Sequence, residues 1–244
     1  GGYLSVNPSS GINATDEIFR AQSGSTINAF AYGSNDDGYG IIGISTGAMS
    51  KGILSQDGFV SLTSLVGSIG LSAKGGQSRA IEINSTTNDS KVSLNSADSI
   101  RLVSETDGSF TNGLSIALFA SGPQYKADII LDSKNDISVQ STGKNYYAYG
   151  IQTIGDSALI DLNASNINLY TTVTDKPNYA YGIFAAGGNI NLLSEQDTSV
   201  ISTGVGLHAQ SKTKINVLSN NQNFISAAAD ENGFGTQAAL ITKS

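Results

Sequence analysis

The chain has no cysteine and no tryptophan, and only one histidine, one methionine and three prolines among 244 residues. Without Cys there is no disulfide framework and no thiolate-ligated zinc, and the absence suits a protein exported unfolded, where a premature disulfide would obstruct passage. The lone His208 occupies an outward position of Val205-Gly206-Leu207-His208-Ala209 with no Cys to join it, so neither a zinc site nor a catalytic triad is expected there. Charged residues supply only 14%, the net charge is −7, and the acidic groups are scattered. This excludes the basic footprint of a nucleic-acid binder and a patch for anionic membranes. No apolar run reaches the roughly 18 residues of a membrane helix. The opening Gly1-Gly2-Tyr3-Leu4 has neither the basic nor the apolar region of a signal peptide.

What the chain does have is repetition. The segments beginning at Thr26, Phe59, Lys91, Asp128, Leu159, Asn189 and Lys214 each read branched aliphatic, variable, aliphatic, variable, small. Their leading residues, Ile27, Val60, Val92, Ile129, Ile160, Ile190 and Ile215, are 33, 32, 37, 31, 30 and 25 positions apart, a period typical of solenoids. Alternation with period two places the aliphatic residues on one face and Asn, Ser, Asp and Thr on the other, so the segments are strands. A weaker copy at Leu4-Ser5-Val6 brings the count to about eight coils. The ending Ala238-Ala239-Leu240-Ile241 looks like the opening of another, and residues 1–244 therefore read as a single β-helical segment cut from something longer.

A second aliphatic segment follows each repeat, at Ile69, Ile100, Ile137, Ile167, Val200 and Phe224. A third precedes it, at Ile18, Ile53, Ile83, Ile116, Ile151, Ile183 and Leu207. Three short strands per turn describe an all-β, parallel β-helix, right-handed as parallel crossovers generally are. The small residues Ala31, Ser64, Ser96, Ser133, Ala164, Ser194 and Ser219 then line a tight corner, where stacked hydroxyls are expected to satisfy one another. Long connections at 32–39, 105–113, 142–149, 171–181 and 230–235 are all expected to emerge from one corner, where variable loops on a fixed scaffold carry recognition.

In those loops Tyr146, Tyr147, Tyr179, Phe110 and Phe234 are the candidate ligand-binding residues, since exposed aromatics bury large area for few rotatable bonds. Tyr149 and Tyr181, aligned with Ile81 and Val205, read as core. Asp132 and Asp161 point outward from adjacent coils, at a separation compatible with an inverting glycosidase pair. No Arg or Lys is interleaved there to hold an acidic sugar, however, and the expectation is that the chain is not an enzyme. Neither Gly75-Gly76 nor Gly187-Gly188 continues as a calcium-binding nonapeptide, and no metal or other cofactor is called for. The glycosylation sequons at Asn13, Asn84, Asn88 and Asn163 are what chance supplies in so Asn- and Ser-rich a chain.

Ala148-Tyr149-Gly150-Ile151 and Ala180-Tyr181-Gly182-Ile183, each leading into a strand such as Asn189-Ile190-Asn191-Leu192, resemble the repeats of autotransporter (type V secretion) passenger domains, the pertactin-like and haemagglutinin-like surface proteins. The resemblance covers most of the chain as a repeat style. It implies a right-handed β-helical stalk on the bacterial cell surface, anchored through a C-terminal translocator barrel that is absent from these residues. It also implies an adhesin, binding a host-cell or bacterial surface protein or glycan, or a second copy of itself. The alternative is a polysaccharide-degrading β-helix enzyme or a phage tailspike segment.

Overall fold

The computed structural model describes residues 4–6, 15–175, 179–210, 213–226 and 241–242. Among them there is no α-helix, and every strand pairing is parallel, each strand lying against its counterpart one turn away. The chain is a parallel β-solenoid of about 6 turns, against the eight coils counted from the repeats. The difference lies at the ends. Leu4–Val6 pairs with Ile41–Gly43 and so belongs to a different column from Ile27, and the last strand pairs only Ile241 and Thr242 with Asn216 and Val217.

The pairings define three faces. Face A stacks Thr26–Ala31, Phe59–Ser64, Ser90–Ser96, Ala127–Ser133, 158–164, 188–194 and Thr213–Leu218. Face B stacks 39–47, 68–75, Ile100–Thr106, Asp136–Gly143, 166–173, 197–202 and Asn221–Ser226. Face C stacks Thr15–Gln22, 49–56, 78–84, Ser115–Ser121, Ala148–Ile154, Ala180–Ala186 and Val205–Ala209. On face A the expected column is present rung by rung, Ile27 on Val60, Val92, Ile129, Ile160, Ile190 and Ile215. A second aliphatic column, Leu62, Leu94, Leu131, Leu162, Leu192 and Val217, runs beside it and is buried throughout. Branched side chains about 4.8 Å apart pack against one another along the axis.

Face C departs from the expected register. Ile53, Ile151, Ile183 and Leu207 share one inward column, but its other members are Phe19, Ile81 and Leu118 in place of Ile18, Ile83 and Ile116. Before every one of these residues except Phe19 lies a Gly or Ala that breaks the alternation, giving two consecutive buried positions, as at Gly150-Ile151. At Gly150 a Cβ would lie 2.6 Å from the Gly182 carbonyl oxygen, so the close backbone approach explains the glycine of the Ala-Tyr-Gly-Ile motif. The same irregularity turns Tyr149 and Tyr181 outward. Tyr149 aligns with Arg79 and Ile116, not with Ile81, and both tyrosines are half-buried on the outer surface and outside the core.

The corners are polar, and most of their buried groups are paired. At the A–B corner the serine hydroxyls do not bond one another as expected. Ser64 Oγ donates to the Gly67 carbonyl at 2.8 Å, Ser96 Oγ to Gly67 at 3.0 Å, and Ser133 Oγ to Asp136 at 3.1 Å, because the turn aims its carbonyls inward at them. A hydroxyl chain does form, at the B–C corner. Ser78, Ser104, Ser115 and Ser141 are linked Oγ to Oγ at 2.8, 2.9 and 2.8 Å, all buried. The chain stops where Ala148 takes the Ser115 position, and the next hydroxyl, Thr171 Oγ1, is buried without a partner.

At the C–A corner Asp57, with φ +55°, staples two coils. Its Oδ1 accepts the N–H groups of Thr86, Thr87 and Asn88 at 2.7, 2.9 and 3.1 Å, and its Oδ2 accepts the two threonine hydroxyls. Burial pushes this carboxyl up, but the donors led by the Thr87 amide outweigh it and hold the pKa far below the usual carboxylate range.

Two tests follow from the corners. Because the folded-state pKa of Asp57 is depressed, its stabilisation is complete above the unfolded carboxylate value and is lost as pH falls below about 4. Asp57→Asn should therefore cost about 1–3 kcal/mol in urea unfolding at neutral pH, with the difference from the parent shrinking in acid. Ala148→Ser supplies a hydroxyl between Ser141 and Thr171 and should gain about 1 kcal/mol, a gain that disappears when Thr171 is replaced by Val.

Candidate functional site

The outward side chains of face C form a stripe that changes character along the rod. Its early coils carry ions. Lys51 Nζ lies 3.0 Å and Arg79 Nη1 2.6 Å from the two carboxylate oxygens of Glu82, and Asn84 Nδ2 donates to Glu82 Oε1 at 2.7 Å. Burial raises the Glu82 pKa, but Arg79 and then Lys51 more than compensate, and it stays low. Arg79 also caps the stripe's first aromatic ring, with its guanidinium carbon 4.9 Å from the Phe119 centroid.

Beyond Phe119 the stripe is aromatic. Tyr149 and Tyr181 occupy the same register on successive coils and stack at 5.2 Å with 15° between planes. Phe184 meets both edge-on at 5.5 Å, and His208, one coil further, stacks on Phe184 at 4.8 Å and 5°. The expected solvated His208 is thus the terminal ring of a ladder.

The loop tyrosines join this ladder. The connections containing Tyr146, Tyr147 and Tyr179 all leave the B–C corner, beside the start of face C. Tyr147 sits 4.5 Å from Tyr146, 4.7 Å from Tyr179 and 5.8 Å from Tyr149, so seven rings make one continuous cluster over three coils, each of them half-buried. Pairs of this kind contribute about 0.5–1.5 kcal/mol each beyond area burial. Burial, then the neighbouring phenols, push the pKa of Tyr147 above the ordinary phenol value, and the same causes push Tyr149 further.

Other sequence candidates lie elsewhere. Phe110 leaves the same corner one coil earlier, but its ring packs on the backbone of Gly76, where a Cβ would lie 2.8 Å from it. Phe234, the connection at 230–235 and Ala238–Leu240 fall outside the described residues. The 32–39 connection leaves the A–B corner, not the B–C corner, because it joins Thr26–Ala31 of face A to the strand at Tyr39.

The two aspartates also separate. Asp132 lies in register with Asn163, whose Nδ2 donates to its Oδ1 at 3.2 Å, and it lines a polar cavity of about 540 Å³ at the A–B corner together with Lys134 and Glu195. Asp161 lies in register with Ile130 and Asn191, its Oδ1 buried without a partner, and is not among the residues lining that cavity. Burial and then the Asp132 charge raise its pKa. The Asp132 charge thus reaches Asp161 from one pleat step away on the adjacent coil.

Alkaline titration tests the cluster. Tyr149 should ionise only as the fold opens, so Tyr149→Phe should leave the absorbance change at 295 nm below about pH 11 unaltered. A normal titration step lost with Tyr149 would overturn the packed ladder. No family model, curated protein or solved structure matches this chain.

Proposed function

We propose that this chain is an adhesive, non-catalytic rod displayed on a bacterial cell surface, the passenger segment of an autotransporter. It contacts a protein or glycan on a host cell or another bacterium. The observation that carries this reading is the merging of Tyr146, Tyr147 and Tyr179 with Tyr149, Tyr181, Phe184 and His208 into one aromatic surface on a rigid face. Large rings with few rotatable bonds lose little entropy on binding, and strands hold them in place before a partner arrives. Surfaces of this composition are enriched at protein interfaces, and the half-exposed hydroxyl edges equally suit sugars.

The rows of Asn on the outer surface of face A offer a second contact, with another copy of the rod. Asn216 Nδ2 already donates to Asn191 Oδ1 at 2.7 Å one coil away, a ladder that an identical neighbour can extend. The hydrolase alternative rests on Asp132 and Asp161, and the Asn163 amide already held on Asp132 favours the binding reading. Attachment to the outer membrane is through a translocator in the longer protein.

The test is saturable binding of fluorescently labelled protein to bacterial and epithelial cells, with a Tyr146→Ser, Tyr147→Ser, Tyr179→Ser variant of unchanged circular dichroism alongside. Binding weakened about tenfold or more in the variant, some 1.4 kcal/mol, supports the aromatic contact. Equal binding moves the contact off this surface, absence of binding to any cell makes the rod a spacer, and reducing-sugar release from polysaccharides would replace the reading with the enzyme.

A further inference from the structure

Face B carries a groove built around an aromatic ring and an arginine. Along its outer surface one column runs Ile42, Gly70, Arg101, Ser138 in successive coils. Gly70 leaves a gap in that row, and the Tyr39 ring fills it. A Cβ at Gly70 would lie 2.7 Å from Tyr39 Cε1, so only glycine admits the ring at this place. Tyr39 is itself clamped, its N–H donating to Asn35 Oδ1 and its carbonyl accepting the Asn35 N–H, both at 2.8 Å.

Tyr39 and Arg101 together divide two open cavities of about 260 and 290 Å³, and both residues line each one. The first has apolar walls from Ile42, Ile44 and Val103, with Arg101 as its one charged side chain. The second is polar, lined by Ser68, Ser138 and Asp136. Of the three arginines in the chain, Arg20 and Arg79 are ion-paired, while Arg101 is exposed and makes no ion pair within 4.0 Å among the described residues. The nearby carboxylates are occupied by neutral donors, Asp98 by Ser68 and Asn135, and Asp136 by Asn166.

We propose that this groove binds an acidic saccharide of at least two units. The carboxylate of one sugar pairs with the Arg101 guanidinium inside the apolar-walled cavity, and its ring lies against Tyr39. The hydroxyls of the next sugar reach Ser138 and Asp136. Polarity assigns the ends. A guanidinium forks onto a carboxylate with two parallel hydrogen bonds, stronger beside apolar walls than in open water. Asp136 repels an anion but accepts from sugar hydroxyls, so the acidic unit belongs in the cavity that Asp136 does not line. An aromatic ring beside a cation and hydroxyl acceptors is the combination that separates an acidic sugar from a simple anion. This site is distinct from the face C stripe, and either can fail without the other.

Calorimetric titration tests it with oligogalacturonate, sialyllactose and neutral malto-oligosaccharide. Oligogalacturonate or sialyllactose should bind at least about tenfold tighter than the neutral sugar, with affinity falling as salt rises. Arg101→Gln should abolish the preference. Gly70→Ala displaces the Tyr39 ring from the groove and should weaken binding while circular dichroism stays that of the parent. Equal binding of acidic and neutral sugars, or Arg101→Gln binding as tightly as the parent, would overturn the proposal. Response to only one of the two acidic probes would identify which acidic sugar the groove takes.

Discussion

The aliphatic column from Ile27 to Ile215 is the constraint on which every other feature depends, because it locks each strand to the residue one turn, about thirty positions, away. A slip of one residue on any rung would turn its whole inward set to solvent, so the register is strongly specified. Once it is set, the outward side chains have no freedom in choosing neighbours. Tyr149 meets Tyr181, and Gly70 lies between Ile42 and Arg101, because the aliphatic residues beside them are stacked in that order.

The corners show how a solenoid turns while pairing most of its buried polar groups, Thr171 Oγ1 being an exception. Each solves the problem differently. The A–B corner points serine hydroxyls at carbonyls of the turn, the B–C corner links hydroxyls in a chain, and the C–A corner uses the Asp57 carboxylate to collect five donors from the next coil. Where the hydroxyl chain lapses at Ala148, the corner takes an apolar form, with Ala148, Val173 and Ala180 packed together and Tyr179 against them. The loops that carry the tyrosines leave the rod at that place, so the break in the polar chain and the aromatic cluster occupy one region of the rod.

The three faces then divide the outer surface by chemistry. Face A is a row of Asn, Ser and Asp broken by single apolar residues, face B holds the groove around Tyr39 and Arg101, and face C passes from an ion cluster into stacked rings. The cost of ordering these side chains is met largely during folding, which leaves less to be lost on contact.

The inward half of this molecule was legible in the sequence and the outward half only in part. Ile27, Val60, Val92, Ile129, Ile160, Ile190 and Ile215 announced strand, period and parallel stacking, since burial on one side of a strand writes itself as alternation. The loop tyrosines were also visible, as aromatics in long connections. Ile116 was misplaced because the Ala117 step breaks period two on face C, Ile83 lies two residues further along the same inward face as Ile81, and Ile18 directly precedes the column member Phe19; the matching Gly step hid the outward direction of Tyr149 and Tyr181. The clustering of the seven rings, the opening of the 32–39 connection at a different corner, and the meeting of Tyr39 with Gly70 and Arg101 were decided by tertiary structure alone. Alternation reports which side of a strand a residue occupies. What stands beside that residue is contributed by coils some thirty residues away, and their alignment is settled only when corners, bulges and columns close together.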